Sequence, residues 1–93
     1  MSTTGGGHLL CRNRVADFAA WKRVFDSHAG AHRAAGLTLL HLWREPDDPA
    51  SVFFLFAIES RERALAFVSA PEAAAAGRAS GVLEGEVHFL AEE

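Results

Sequence analysis

One cysteine, Cys11, stands among the 93 residues, which excludes an intrachain disulfide and a multi-cysteine zinc cluster. Basic charge is scarce. Lys22 is the one lysine, and 9 Lys and Arg against 12 Asp and Glu leave a net charge of −3. No basic stripe is available for phosphate contacts, so nucleic acid is not an expected partner. No apolar run approaches the roughly 18 residues of a membrane span, and no charged-then-apolar leader is read, so a cytoplasmic protein is expected. Gly5-Gly6-Gly7 precedes a strand and no helix follows it, which leaves no phosphate loop and no support for Rossmann-type nucleotide or flavin binding. Repeats of fixed period and internal linkers are also missing.

What is present reads as one globular domain. The 49% hydrophobic and 23% charged shares are ordinary for a folded protein. Residues 1–7 form a flexible arm and residues 8–93 the domain. A first strand covers His8 to Val15. Asp17 caps an amphipathic helix that runs to Gly36. A second strand spans Leu37 to Arg44, a loop Glu45 to Pro49, and a third strand Val52 to Glu59. Ser60 caps a second helix carrying Ala64, Leu65, Phe67 and Val68. Ser69 and Glu72, with Pro71 between, have the form of a capping box for a further turn that ends at Gly77 or Gly81. The last strand is Val82 to Ala91, with Gly85 as a bulge or bend. The order β-α-β-β-α-β predicts an α+β ferredoxin-like fold, a four-stranded antiparallel sheet with two helical segments on one face.

Two of these strands are apolar at both parities, Leu37 to Trp43 and Val52 to Ile58. A sheet with one wet face alternates apolar and polar residues. Two helical segments cover only one face, so a second copy is expected to cover the other, giving a homodimer through the sheet.

The first helix carries an imidazole pair. Phe18, Trp21, Val24, Phe25 and Ala35 fall in one stripe at helical spacing, and His28 and His32 project into it. Imidazoles facing a small core need hydrogen-bond partners or a cavity. Two roles stay open: packed histidines bonded to backbone or water, or residues lining a cavity between helices and sheet. In the cavity, a neutral imidazole suits acid–base work near pH 7. An i,i+4 pair also has the spacing to grip a metal, with a third ligand that no spacing identifies.

The string Val15 to His28, VADFAAWKRVFDSH, resembles the first-helix signature of small dimeric α/β-barrel proteins. Arg33, Ala35-Gly36, Asp47-Asp48-Pro49, Ala64-x-x-Phe67, Ser69-x-Pro71 and Ala79-x-Gly81-Val82 extend the likeness from Leu9 to Leu90. They resemble the antibiotic-biosynthesis-monooxygenase-like superfamily, in its cyclase-like or uncharacterised branch. That resemblance implies a dimer with a ligand cavity in each subunit between sheet and helices. Its members include cofactor-independent monooxygenases, polyketide cyclases, isomerases, haem-degrading enzymes and proteins with no known activity, and fold alone does not choose among them.

The expected reading is an enzyme that acts on an aromatic or polyketide-like molecule by proton transfer, without an organic cofactor. His28 and His32 are the catalytic candidates. Trp21, Phe25, Trp43, Phe54, Phe56 and Phe67 are core residues that would also wall an apolar pocket for a flat ligand. One of His41 and His88 is a candidate to face the cavity. Arg12, Arg14 and Arg44 would hold a carboxylate or pair with nearby acids. Cys11 is a small buried hydrophobe. The alternatives are a haem- or metal-binding protein using the helix histidines, and a non-catalytic dimeric binding domain.

Overall fold

Residues 7–93 are described by the structure, a computed structural model; the arm expected over 1–7 lies, apart from Gly7, outside the described residues. Gly7 lies next to the first strand. At φ +90° its carbonyl accepts from Ile58 N at 3.1 Å, and a Cβ there would strike the Leu90 carbonyl. The strands are β1 (His8–Val15), β2 (Leu37–Glu45), β3 (Asp48–Ile58) and β4 (Val82–Leu90), in spatial order β2-β3-β1-β4 with antiparallel neighbours. The helices are α1 (Phe18–Ser27), α2 (Ala29–Ala34), α3 (Arg61–Ser69) and α4 (Pro71–Ser80). This is the expected ferredoxin-like α+β architecture, with each of its two helical segments broken into a pair.

Both breaks have local causes. In a continuous first helix the Val24 carbonyl would accept from the His28 amide. It accepts instead from Ser27 Oγ at 2.6 Å and His28 Nδ1 at 2.8 Å, while His28 N moves to the Phe25 carbonyl at 3.1 Å. Side chains that compete for backbone acceptors in this way loosen a helix. His28 therefore caps α1 and opens α2 rather than riding inside one helix. The second break falls at Ala70, in extended conformation (ψ 147°) before Pro71, because proline disfavours a helical residue ahead of it. Ala70 has no side chain to cap with, so the capping box expected from Ser69 and Glu72 does not form. Asp17 and Ser60 do cap as expected, accepting from Ala20 N at 3.3 Å and Arg63 N at 3.2 Å. α4 ends at Gly81, whose φ of +81° is the left-handed turn glycine favours.

Three details of the sheet depart from the sequence reading. The loop between β2 and β3 shrinks to the turn Pro46-Asp47, and Pro49 sits in β3 where the register shifts between Arg44 and Glu45. Leu40 is an extra residue in β2: Leu39 pairs with Phe56 and His41 with Leu55. A bulge reverses the parity of everything after it. His41 and Trp43 therefore share a face with Leu55 and Phe53, away from Leu37 and Leu39. Gly85 pairs regularly with Asn13, and the irregularity lies between Arg14 and Val15 instead. Gly85 makes room, since a Cβ there would come within 3.2 Å of the Asn13 amide.

The core is one layer between the helices and the inner sheet face. Leu9, Cys11 and Val15 of β1 and Val52, Phe54, Phe56 and Ile58 of β3 are buried there with Leu37, Trp21 and Ala64. Each large apolar side chain in this layer contributes about 1.5–3 kcal/mol. The outer face is a different surface. Arg12 covers the buried Ser51, donating from Nε to its Oγ at 2.8 Å, and reaches Glu86 at 3.4 Å; Arg14 pairs with Asp48. Trp43 stacks on His41 at 4.9 Å and is 48% exposed.

Candidate active site

A cavity of about 530 Å³ lies between the helix layer and the inner face of β1 and β4. Its origin is compositional. α4 turns the small Ala73, Ala76, Gly77 and Ser80 toward this space, with Glu72 beside them, and β4 offers Gly85 beside Val82, Glu86 and Val87. Larger side chains at these positions would fill it. The opposite wall is aromatic: Trp21 stacks on Phe25 at 4.7 Å and meets Phe54 at 5.5 Å, while Phe25 meets Phe54 edge-on at 5.1 Å. Phe56 and Phe67 complete that wall. The volume falls in the range that holds drug-sized ligands.

Besides Glu72, Ser80 and Glu86, few polar groups border it. His28 does, anchored by its Nδ1 bond to the Val24 carbonyl. A carbonyl only accepts, so Nδ1 is the donor, and in the neutral form of the ring Nε2 is then the nitrogen with the free lone pair. His32 also borders the cavity, boxed by Phe25 at 5.1 Å, Phe56 at 5.2 Å and Phe67 at 5.6 Å. Burial among those rings, and then the neighbouring His28, hold its pKa below the usual 6.5. Cys11 lies on the floor, and burial pushes its thiol up to about 12, so it is no thiolate nucleophile at neutral pH.

Asn13, like Glu72, Ser80 and Glu86, is a polar lining residue that the sequence reading did not place at the site. Its amide, oriented to satisfy both neighbours, accepts from Trp21 Nε1 at 3.2 Å and donates to the Arg12 carbonyl at 3.0 Å. The signal was its parity with the apolar Leu9, Cys11 and Val15, which turns it inward. It positions the Trp21 ring.

The structure thus brings together His28, His32, Trp21, Phe25, Phe54, Phe56 and Phe67. Trp43, His41 and His88 do not join them. The β2 bulge sends His41 and Trp43 to the outer face, and His88 stands opposite Leu10 on that face, its Nε2 3.9 Å from Glu86. The arginines are also elsewhere: Arg12 and Arg14 lie on the outer face, and Arg44 lies over the Phe18 ring at 4.1 Å. No arginine or lysine lines the cavity among the described residues. Nor do three His, Cys, Asp or Glu side chains converge there as a metal site among those residues. No helix of the described residues is long and apolar enough to cross a membrane.

The His32 shift has a consequence for stability. In the unfolded chain the imidazole titrates near 6.5, above its folded pKa. The unfolded state therefore takes up the proton first as pH falls. The stabilisation is complete above pH 6.5 and is lost as pH drops through the folded pKa. The urea midpoint is expected to fall more steeply from pH 7 to 5 in the native sequence than in His32→Leu. Equal slopes would contradict this account.

No family model and no curated protein matches the sequence. Solved structures do match in shape. One from Caulobacter crescentus, provisionally named an antibiotic biosynthesis monooxygenase, has a TM-score of 0.73 at 20% identity, covering 97% of this chain and 92% of that one. One of the same provisional name from Bordetella bronchiseptica has a TM-score of 0.75 at 13% identity, covering 92% and 95%. A conserved protein from Methanosarcina mazei gives 0.70 at 10%, covering 92% and 91%. By its β-α-α-β-β-α-α-β order and its shape over nearly the whole length, the chain has the ferredoxin-like fold of the antibiotic biosynthesis monooxygenase-like proteins.

Proposed function

We propose that the chain is a small-molecule enzyme whose cavity takes a flat aromatic or polyketide-like substrate and whose His28 acts as general base. The observation that carries this reading is the placement of His28: Nδ1 lies 2.8 Å from the Val24 carbonyl, and the ring borders an aromatic-walled cavity. Its Nε2 takes a proton from a phenol or an acidic C–H of the substrate. The resulting anion is delocalised over the rings and needs no organic cofactor to form. It then closes a ring, shifts a double bond, or reacts with molecular oxygen. In the oxygen case a CH₂ becomes C=O, and O₂ is reduced to one oxygen in the product and one water. His28, left protonated on both ring nitrogens, returns that proton to the product, and His32, neutral at pH 7, orients the substrate as a hydrogen-bond partner. The shared fold with structures named as antibiotic biosynthesis monooxygenases supports the oxygen-dependent branch. The active unit is a homodimer through the outer sheet face, where Trp43, Phe53 and Leu55 form an apolar patch.

Binding is tested with 2-naphthol. In a Trp43→Phe background Trp21 is the one fluorophore of its kind. Titration is expected to quench it with Kd on the order of 10–100 µM. Ala76→Leu, which puts bulk into the cavity from α4 with little cost to the helix, is expected to weaken binding about tenfold. Quenching indifferent to Ala76→Leu would place the ligand elsewhere.

A further inference from the structure

A second, smaller cavity of about 250 Å³ lies under α2 against β2, rimmed by the polar Asp26, Arg33 and Thr38. It shares a wall with the main cavity: Phe25, His32, Leu37 and Phe56 line both. Three of these four are held in place. Leu37 and Phe56 are 1% and 3% exposed, and Phe25 is packed between Trp21 and Phe54. His32 differs. It is half-buried, sits on a helix of six residues with no side-chain cap, and its ring makes no hydrogen bond among the described residues. Phe25, tilted against it, and Phe56 and Phe67, edge-on to it, hold it by ring contacts that, unlike a hydrogen bond, fix no single ring orientation.

From this geometry we propose that His32 is a swinging partition: with its ring turned aside, the two cavities join into one channel that takes a planar aromatic ligand too long for the main cavity. The proposal rests on the aromatic-ligand reading above and specifies the ligand's length and course. One end of the ligand lies against Trp21. The other passes the His32 position and carries its oxygen substituent toward Arg33 and Thr38. The ring turn needs only side-chain torsions, since the backbone bond from His32 N to the His28 carbonyl, 2.9 Å, is not involved.

The test compares the two-ring 2-naphthol with the three-ring 2-anthrol in native protein, His32→Ala and His32→Leu. His32→Ala removes the partition and is expected to strengthen 2-anthrol about tenfold relative to 2-naphthol. His32→Leu restores bulk and is expected to keep the native ratio of the two. An equal change for both probes in His32→Ala would overturn the partition. Xenon-pressurised crystals give a readout free of either phenol, because xenon occupies apolar cavities. Xenon at the vacated ring position in His32→Ala, continuous with both cavities, is expected. Closure of that space by Phe25 or Phe67 would overturn the proposal. If neither phenol binds yet xenon bridges the cavities, the aromatic-ligand reading fails and the partition stands.

Discussion

His28→Gln is expected to lower turnover of the cavity's substrate by about 10²–10⁴-fold, the range general-base removal produces. Glutamine keeps a polar side chain of similar length, and His28→Asn beside it keeps an amide N–H where Nδ1 donates to the Val24 carbonyl, the bond that ends α1. The helix break survives while the basic Nε2 is gone. His28→Ala removes both, and its additional loss measures the structural share. Far-UV circular dichroism and the urea midpoint establish that the glutamine variant is folded. Turnover within threefold of native would remove His28 from the mechanism, leaving its Val24 bond as its whole role.

Trp43→Glu is expected to convert the proposed dimer to monomer. Trp43 sits on the outer face of edge strand β2, stacked on His41 and 48% exposed, with Phe53 paired beside it. A tryptophan buried in such an interface is worth about 2–4 kcal/mol when lost. In a two-fold interface the substitution occurs twice, and each glutamate also brings an unpaired charge. Sedimentation equilibrium at micromolar concentration checks it. The native protein is expected at twice its 10.0 kDa chain mass and the variant at 10.0 kDa. A native protein already at 10.0 kDa would contradict the two-sided-sheet argument. Placing His41 and His88 on this same outer face also removes them from proton transfer in the cavity.

Much of the architecture was legible because it rests on strong local signals. Strand β1 has the expected bounds, Asp17 and Ser60 cap where their side chains announce it, and Gly81 supplies the left-handed turn that stops α4. The face assignments in β2 were not legible beyond Leu39. One extra residue at Leu40 inverts a parity that apolar residues on both faces leave undetermined. The break at His28 was hidden for another reason. Apolar spacing reports which side a helix buries, whereas the break comes from two side chains, Ser27 and His28, capturing one carbonyl. A ladder usually rejects proline, which points to a loop at Pro49, yet Pro49 falls in a register shift that spares its missing N–H. For the site, the stripe of aromatics pointed to the correct layer. The empty side of the cavity, made by small residues of α4 and by Gly85, required the packing of α4 over β4.

The account's central claim is that the inner layer, with His28 and His32, is where a ligand meets this protein. Imidazole NMR signals during a 2-naphthol titration test it most directly, because the five histidines are divided between cavity and outer face. The account predicts that the His28 and His32 ring resonances move with a common Kd while those of His41 and His88 stay fixed. It further predicts that the free protein shows His28 with its proton on Nδ1. Movement confined to His41 and His88, or a His28 ring protonated on Nε2 alone, would contradict it.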